Sequence, residues 1–139
     1  MAMPQAHARP PTTGRHILVI DDKPDTVEAM QCVLELSGHE VDVAYDGEGG
    51  IAKAFALRPD VILCDIGLPG GADGYRVART LRSSAHFTST YMVAITGFVG
   101  EDDVKRAVAA GFDLHVAKPV DVQVLLRLID ERFDVEEEP

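Results

Sequence analysis

The sequence predicts an α/β fold: a doubly wound, five-stranded parallel sheet in the order 2-1-3-4-5, with helices on both faces. Two observations lead to this prediction. Short, wholly apolar runs of strand length recur along the chain, as strands buried on both faces require. Segments with apolar residues at helical spacing separate these runs, so that strands and helices alternate. Because crossovers between parallel strands are right-handed, few strand orders remain, and 2-1-3-4-5 is the common one for five units.

The first two strand–helix units are read directly from the pattern. His16–Asp21 is an apolar run closed by aspartate, and Pro24 then suits a first helical turn, where its missing N–H costs little. Apolar residues recur at helical spacing until Ser37-Gly38 ends the helix. Val41–Ala44 is the second strand. The helix after it ends before Arg58-Pro59, because a residue that precedes proline avoids the helical conformation.

The last three units follow the same alternation. Val61–Asp65 is the third strand, and a glycine-rich loop of sequence LPGGADG leads from it into the third helix. Tyr91–Thr96 is the fourth strand. The fourth helix, Glu101–Ala110, starts with acidic residues and is followed by glycine, as the helix dipole and C-cap rules favour. The fifth unit consists of a strand at Leu114–Ala117 and a helix at Val122–Phe133, with Asp121 as its N-cap.

The two ends of the chain differ in composition from the predicted domain between them. Residues 1–14 hold three of the eight prolines without apolar periodicity, and this predicts a flexible leader or linker. Residues 15–133 form the predicted domain, and residues 134–139 are predicted to be an acidic tail. Cys32 and Cys64 lack the spacing of a metal site or a disulfide framework, so both are predicted to be small core residues.

Charge and hydropathy exclude several classes of partner. The 139 residues include 13 Lys and Arg against 23 Asp and Glu, a net charge of −10. A nucleic-acid backbone or an anionic membrane surface would repel such a chain, so neither is an expected partner. No apolar run approaches the roughly 20 residues of a membrane helix, and no secretory signal is evident. The expected location is therefore the cytoplasm.

Polar residues stand where the predicted strands end. They are Asp21 and Asp22 after strand 1, Asp65 at strand 3, Thr96 at strand 4 and Lys118 after strand 5. Carboxyl ends of neighbouring parallel strands, about 4.8 Å apart, share one edge of the sheet. Three clustered carboxylates repel one another unless a cation binds, and an all-oxygen ligand set favours Mg²⁺. Lys118 and Thr96 suit phosphoryl oxygens, and a carboxylate nucleophile at Asp65 would form an acyl phosphate.

The motifs ILVIDDKPD, PDVILCDIGLPG, DGYRVARTLR, VAITG and AGFDLHVAKPV together resemble the receiver domain of two-component response regulators. They cover residues 16 to about 130, and the resemblance implies a flavodoxin-like sheet. It also implies that Asp65 accepts phosphate from a phosphohistidine of a histidine kinase or a histidine phosphotransfer domain. The implied Mg²⁺ ligands are Asp22, Asp65 and the Gly67 carbonyl, with Asp21 acting through water. Thr96 and Lys118 would bind the phosphoryl group, and Lys118-Pro119 would be a cis peptide.

Two features depart from the family pattern, and two further residues are expected to affect the lifetime of the acyl phosphate. Gly70-Gly71-Ala72 makes the loop after the acceptor one residue longer than usual. His115 takes a switch position that is often aromatic, and Thr96 is its switch partner. The implied output surface is helix 4, strand 5 and helix 5, through which a homodimer could form. The resemblance implies that Gly67 and Phe98 flank the path of the hydrolytic water, and neither side chain offers a polar group to orient it. Slow self-dephosphorylation is therefore expected.

Two other functions compete with this interpretation. A phosphohydrolase of the haloacid-dehalogenase type would use the same residue types, but it needs a second Asp two residues after the nucleophile, where this chain has Gly67. A degenerate receiver would bind partners without phosphorylation, and the complete acidic set argues against it. Within the favoured interpretation, a stand-alone regulator and the receiver of a hybrid histidine kinase both fit. No enzymatic activity is expected beyond self-phosphorylation and self-dephosphorylation.

Overall fold

A computed structural model describes residues 14–97 and 100–137, with side chains as far as Phe133. Five parallel strands form one sheet in the order β2-β1-β3-β4-β5, which confirms the predicted fold class and strand order. The strands are β1 (His16–Ile20), β2 (Glu40–Ala44), β3 (Val61–Asp65), β4 (Tyr91–Thr96) and β5 (Leu114–Ala117).

Five α-helices connect the strands, and local sequence explains where several of them begin and end. They are α1 (Pro24–Leu36), α2 (Gly47–Leu57), α3 (Gly74–Arg82), α4 (Glu101–Ala110) and α5 (Val122–Glu137). Asp46 caps α2 by accepting a hydrogen bond from the Gly49 amide, and Asp73 caps α3 in the same way. Gly111 ends α4 in the left-handed conformation, at a φ of 118°.

The sheet divides the core into two layers, because alternate residues of each strand face opposite sides. Leu18 and Ile20 of β1 face the layer that α2, α3 and α4 cover. Ile17 and Val19 face the layer that α1 and α5 cover, where Leu34 and Ile129 are fully buried. Residues that follow the strands at their carboxyl ends therefore emerge at the rim between the two helical layers.

Some boundaries differ from those predicted. α5 continues to Glu137, four residues past the predicted end at Phe133, because residues 134–137 hold no helix breaker. A short 3-10 helix, Ala85–Phe87, lies in the connection to β4 and was not predicted. Cys32 is exposed on α1, so its predicted place in the core is wrong, whereas Cys64 is buried as predicted.

Two further expectations concern the chain as a whole. Of the predicted leader, residues 1–14, only Gly14 belongs to the described part of the chain. Within that part, no helix is both long enough and apolar enough to cross a membrane. The division into leader, domain and tail stays a prediction.

Candidate functional site

The carboxyl ends of β1 and β3 bring three aspartates together, as the sequence predicted from the strand ends. Carboxylate oxygens of Asp21, Asp22 and Asp65 all lie within 4.8 Å of one another. Asp21 and Asp65 are buried, at 4% and 5% exposure, and Asp22 is half-buried. The donors are all carboxylate oxygens without nitrogen or sulfur, and this is the set that a hard cation such as Mg²⁺ prefers.

Burial makes this acidic cluster electrostatically costly. The pKa of Asp21 is raised above its usual value, chiefly by desolvation, and the negative charges of Asp65 and Asp22 add to the rise. The hydrogen bond that the Lys23 amide donates to Asp21 Oδ1 (2.9 Å) and the charge of Lys118 act in the opposite direction. The folded chain therefore gains from any cation that neutralises the cluster.

Lys118 supplies the one ammonium group that makes ion pairs with the acidic cluster among the described residues. Its Nζ lies 3.3 Å from Asp65 Oδ2 and 3.9 Å from Asp21 Oδ2. The residue follows β5, and the Lys118-Pro119 peptide is cis, as the resemblance implied. An ammonium at this position can neutralise both the Asp65 carboxylate and an anionic group that approaches it.

Thr96 ends β4 beside this lysine and is buried at 3% exposure. The Lys118 amide donates a hydrogen bond of 2.8 Å to the Thr96 carbonyl, so the two residues are held together through their backbones. His115 lies on β5, paired with Ala94 of β4, and its side chain is half-buried. Among the described residues, its Nε2 is buried without a hydrogen-bond partner.

Gly67 lies close to Asp65, since its amide donates a hydrogen bond of 3.1 Å to Asp65 Oδ1. A Cβ added to Gly67 would lie 3.9 Å from that same oxygen, an ordinary contact distance, so a side chain fits there. Phe98, the other residue expected to affect the hydrolytic water, lies outside the described residues. The assignments of Gly67 and Phe98 to this role stay predictions.

The lengthened loop after β3 packs against the start of α2, a contact that sequence reasoning did not predict. Ala72 is buried, whereas Gly70 and Gly71 are exposed. A Cβ on Gly47 would overlap the carbonyl oxygen of Ala72 and would lie 2.8 Å from the Ala72 Cβ. The sequence pair Asp46-Gly47 is typical of a turn. The structure adds a second reason for the glycine, because the loop approaches it too closely for a side chain.

An open apolar depression of about 510 Å³ adjoins the acidic cluster and was also missed from the sequence. It lies between α1 and the segment after β5, with Met30 and Val120 among its walls and Asp21 and Lys118 at its edge. No local signal predicts it, because its walls come from segments that are about 90 residues apart in the chain.

Comparisons with known proteins agree with this geometry. The sequence pattern of the response regulator receiver domain matches residues 17–130. The protein PilH of Pseudomonas aeruginosa is 33% identical over 82% of this chain and 93% of its own length. The DNA-binding dual master transcriptional regulator RpaA of Synechocystis is 34% identical over 79% of this chain, which spans 45% of that protein.

A solved structure supports the same relationship. The response regulator receiver domain protein (CheY-like) from Methanospirillum hungatei superposes with a TM-score of 0.81 at 26% sequence identity. The superposition covers 90% of this chain and 98% of the other. The similarity therefore extends over the whole sheet and its helices.

Proposed function

Because this chain belongs to the family of response regulator receiver domains, we propose that Asp65 is its phosphoacceptor. One observation carries the proposal: Asp65 is a buried rim carboxylate with the Lys118 ammonium 3.3 Å away and two further aspartates beside it. Response regulators receive phosphate from histidine kinases, and the donor proposed here is a phosphohistidine of such a kinase or of a histidine phosphotransfer domain.

The transfer follows from what these side chains can do. A carboxylate oxygen of Asp65 attacks the phosphorus of the phosphohistidine, the N–P bond breaks, and the imidazole leaves with the electron pair. Lys118 neutralises charge on the phosphoryl oxygens, and the Thr96 hydroxyl donates a hydrogen bond to one of them. The product is an acyl phosphate on Asp65.

The acidic cluster is proposed to hold Mg²⁺. Asp22, Asp65 and the Gly67 carbonyl would bind the ion directly, and Asp21 would act through a water molecule. Bound Mg²⁺ would offset the negative charge of the carboxylates and of the incoming phosphoryl group. The three mutually close carboxylates and the raised pKa of Asp21 support this assignment.

The competing functions lack support. A haloacid-dehalogenase-like phosphohydrolase would need a general acid where Gly67 stands, and the chain matches the response regulator receiver domain over residues 17–130. The complete set of three aspartates together with Lys118 argues against a binding module that works without phosphorylation. We therefore assign no activity beyond self-phosphorylation and self-dephosphorylation.

The domain bounds, the cellular location and the output surface are proposed on the same basis. The domain spans residues 15–133, it works in the cytoplasm, and the surface of α4, β5 and α5 carries its output and any homodimer. The net charge of −10 argues against direct contact of this domain with nucleic acid or an anionic membrane. A stand-alone regulator and the receiver of a hybrid histidine kinase both match this proposal.

A phosphate-affinity gel with a small-molecule phosphodonor and Mg²⁺ tests the acceptor. Wild type is expected to show a shifted band, and Asp65→Asn none, because the amide is nearly isosteric but a poor nucleophile. Asp102→Asn, at an exposed carboxylate of α4, is the matched control and should behave as wild type. Equal labelling of Asp65→Asn and wild type would overturn the assignment.

Thermal melts test the metal site separately. Millimolar Mg²⁺ should raise the melting temperature of the wild type, because it binds the folded cluster and not the unfolded chain. Asp22→Ala should abolish most of that rise while Asp102→Asn preserves it. A wild-type melting temperature that does not respond to Mg²⁺ would contradict the proposed site.

A further inference from the structure

A second cluster of metal-ligating side chains lies at the opposite end of the sheet, where β1 and β2 begin. His16 pairs directly with Glu40 across the two strands, and Asp42 lies two residues further along β2. Because side chains alternate between the faces of a strand, all three residues share one face of the sheet. The imidazole nitrogen and the two carboxylate oxygens lie within 4.8 Å of one another.

The positions of the three side chains leave them accessible to an ion. The His16 and Asp42 side chains are 20% and 39% exposed, and Glu40 is exposed. Asp42 Oδ2 lies 2.6 Å from His16 Nε2, while Glu40 makes no ion pair among the described residues. Lys53 of the neighbouring α2 uses its ammonium to donate a hydrogen bond to the Val43 carbonyl. With a neutral imidazole, the cluster carries two negative charges.

We propose that His16, Glu40 and Asp42 bind a divalent cation of the zinc class. One imidazole nitrogen and two carboxylate oxygens form the mixed nitrogen and oxygen set that Zn²⁺ accepts, whereas Mg²⁺ prefers oxygen alone. Bonds of about 2.0–2.1 Å place tetrahedral ligand atoms about 3.3 Å apart. The three ligand atoms already lie within 4.8 Å of one another, and the strand ladder holds the three Cα atoms in place.

This site is distinct from the acidic cluster at the other end of the sheet. His16 and Asp21 are five residues apart along nearly extended chain, a separation of roughly 16 Å at about 3.3 Å per residue. The two sites also differ in chemistry, since only the one at His16 offers nitrogen.

Isothermal titration of the full chain with Zn²⁺, in excess Mg²⁺ that occupies the acidic cluster, tests the proposal. One Zn²⁺ per chain is expected, with an affinity that falls at least tenfold in His16→Gln and in Asp42→Asn. His86→Gln, which alters an exposed histidine outside the cluster, is the control and should keep wild-type affinity. An equal loss in the control variant, or no loss in either cluster variant, would overturn the proposal.

The position of the bound ion is tested with paramagnetic Co²⁺ under the same Mg²⁺ excess. Amide signals at the starts of β1 and β2 should broaden, and Glu40→Gln, which alters an exposed side chain, should reduce the broadening without unfolding the chain. Broadening confined to the surroundings of Asp22 and Asp65 would refute a second site. Labelling of each variant by the phosphodonor shows that its fold and its acceptor remain intact.

Discussion

At the residue scale, folding buries the three aspartates close together at an electrostatic cost, and a bound cation would reduce that cost. Burial and the neighbouring carboxylates raise the pKa of Asp21, and the only ion pairs of the cluster among the described residues are with Lys118. A cation and a phosphoryl group both change this balance. Substitution of single residues beside the cluster should therefore change how a cation or a phosphoryl group binds there, while the fold is kept.

Gly67 and Phe98 provide the first prediction at this scale. Gly67→Asn combined with Phe98→Glu should speed the decay of phospho-Asp65 several-fold, because polar side chains there would orient the attacking water. The Gly67 position has room for the new side chain. The decay is followed in Mg²⁺ after removal of the donor. Gly71→Asn, in open space on the same loop, is the control, and a double variant that decays no faster than wild type would contradict the prediction.

Tyr91 provides a prediction about alkaline pH. Burial raises the pKa of its phenol, the charge of Asp113 adds to the rise, and Arg132 opposes it. The folded chain then holds this proton more tightly than the unfolded chain. Stability is consequently lost as the pH rises above about 10, the ordinary tyrosine pKa, towards the raised pKa of the folded chain.

The measurement compares the free energy of unfolding by urea at pH 8 and near pH 11. Tyr91→Phe should show a smaller loss of stability over this interval than wild type. Tyr45→Phe, at a tyrosine that is 49% exposed, should keep the wild-type loss. Parallel curves for Tyr91→Phe and wild type would show that this phenol does not contribute.

At the element scale, the loop after β3 and the start of α2 behave as one packed unit. The Gly47 backbone approaches Ala72 so closely that no side chain fits between them, whereas Gly71 has open space around it. Arg76 of α3 also donates a hydrogen bond to the Gly71 carbonyl. The loop is therefore packed against the start of α2 through Ala72.

The glycines of this unit should respond differently to alanine. Gly47→Ala is expected to destabilise the fold by about 1–3 kcal/mol, because the new methyl group meets backbone atoms that cannot rotate away. Gly71→Ala should be neutral or slightly stabilising, since alanine reduces the entropy of the unfolded chain. Urea unfolding of both variants measures the difference, and equal stabilities would argue against the close approach.

At the scale of the whole molecule, the sheet links the acidic cluster to the proposed output surface. Thr96 ends β4 beside Lys118, and His115 lies on the neighbouring strand β5. Within the described part of the chain, the buried Nε2 of His115 makes no hydrogen bond. A phosphoryl group on Asp65 would attract the Thr96 hydroxyl, and His115 would then move into the space that the Thr96 side chain leaves. The domain would shift between two conformational populations.

Nuclear magnetic resonance with a beryllofluoride mimic of the phosphoryl group tests this switch. Chemical shift changes are expected beyond the acidic cluster, over residues 101–130, and Thr96→Ala should suppress the distant changes while it keeps those at Asp65. Asp65→Asn should show none of them. Changes confined to the acidic cluster in the wild type would refute the output surface.

The local sequence pattern was enough to predict the fold class, the strand order and the strand ends. Apolar runs and helical spacing are short-range properties of the sequence, and they locate the end of each strand. Because the carboxyl ends of neighbouring parallel strands meet at one edge of the sheet, the polar residues at those ends are expected to cluster. Asp21, Asp22, Asp65, Thr96 and Lys118 could therefore be placed together without coordinates.

Only the tertiary structure could decide features that depend on contacts between distant segments. These include the 3.3 Å separation of Lys118 and Asp65, the depression beside α1, and the close approach of Gly47 to Ala72. The register that brings His16 opposite Glu40 belongs to the same class. In each case the partners are at least 24 residues apart in the chain, and no local periodicity records how their side chains meet.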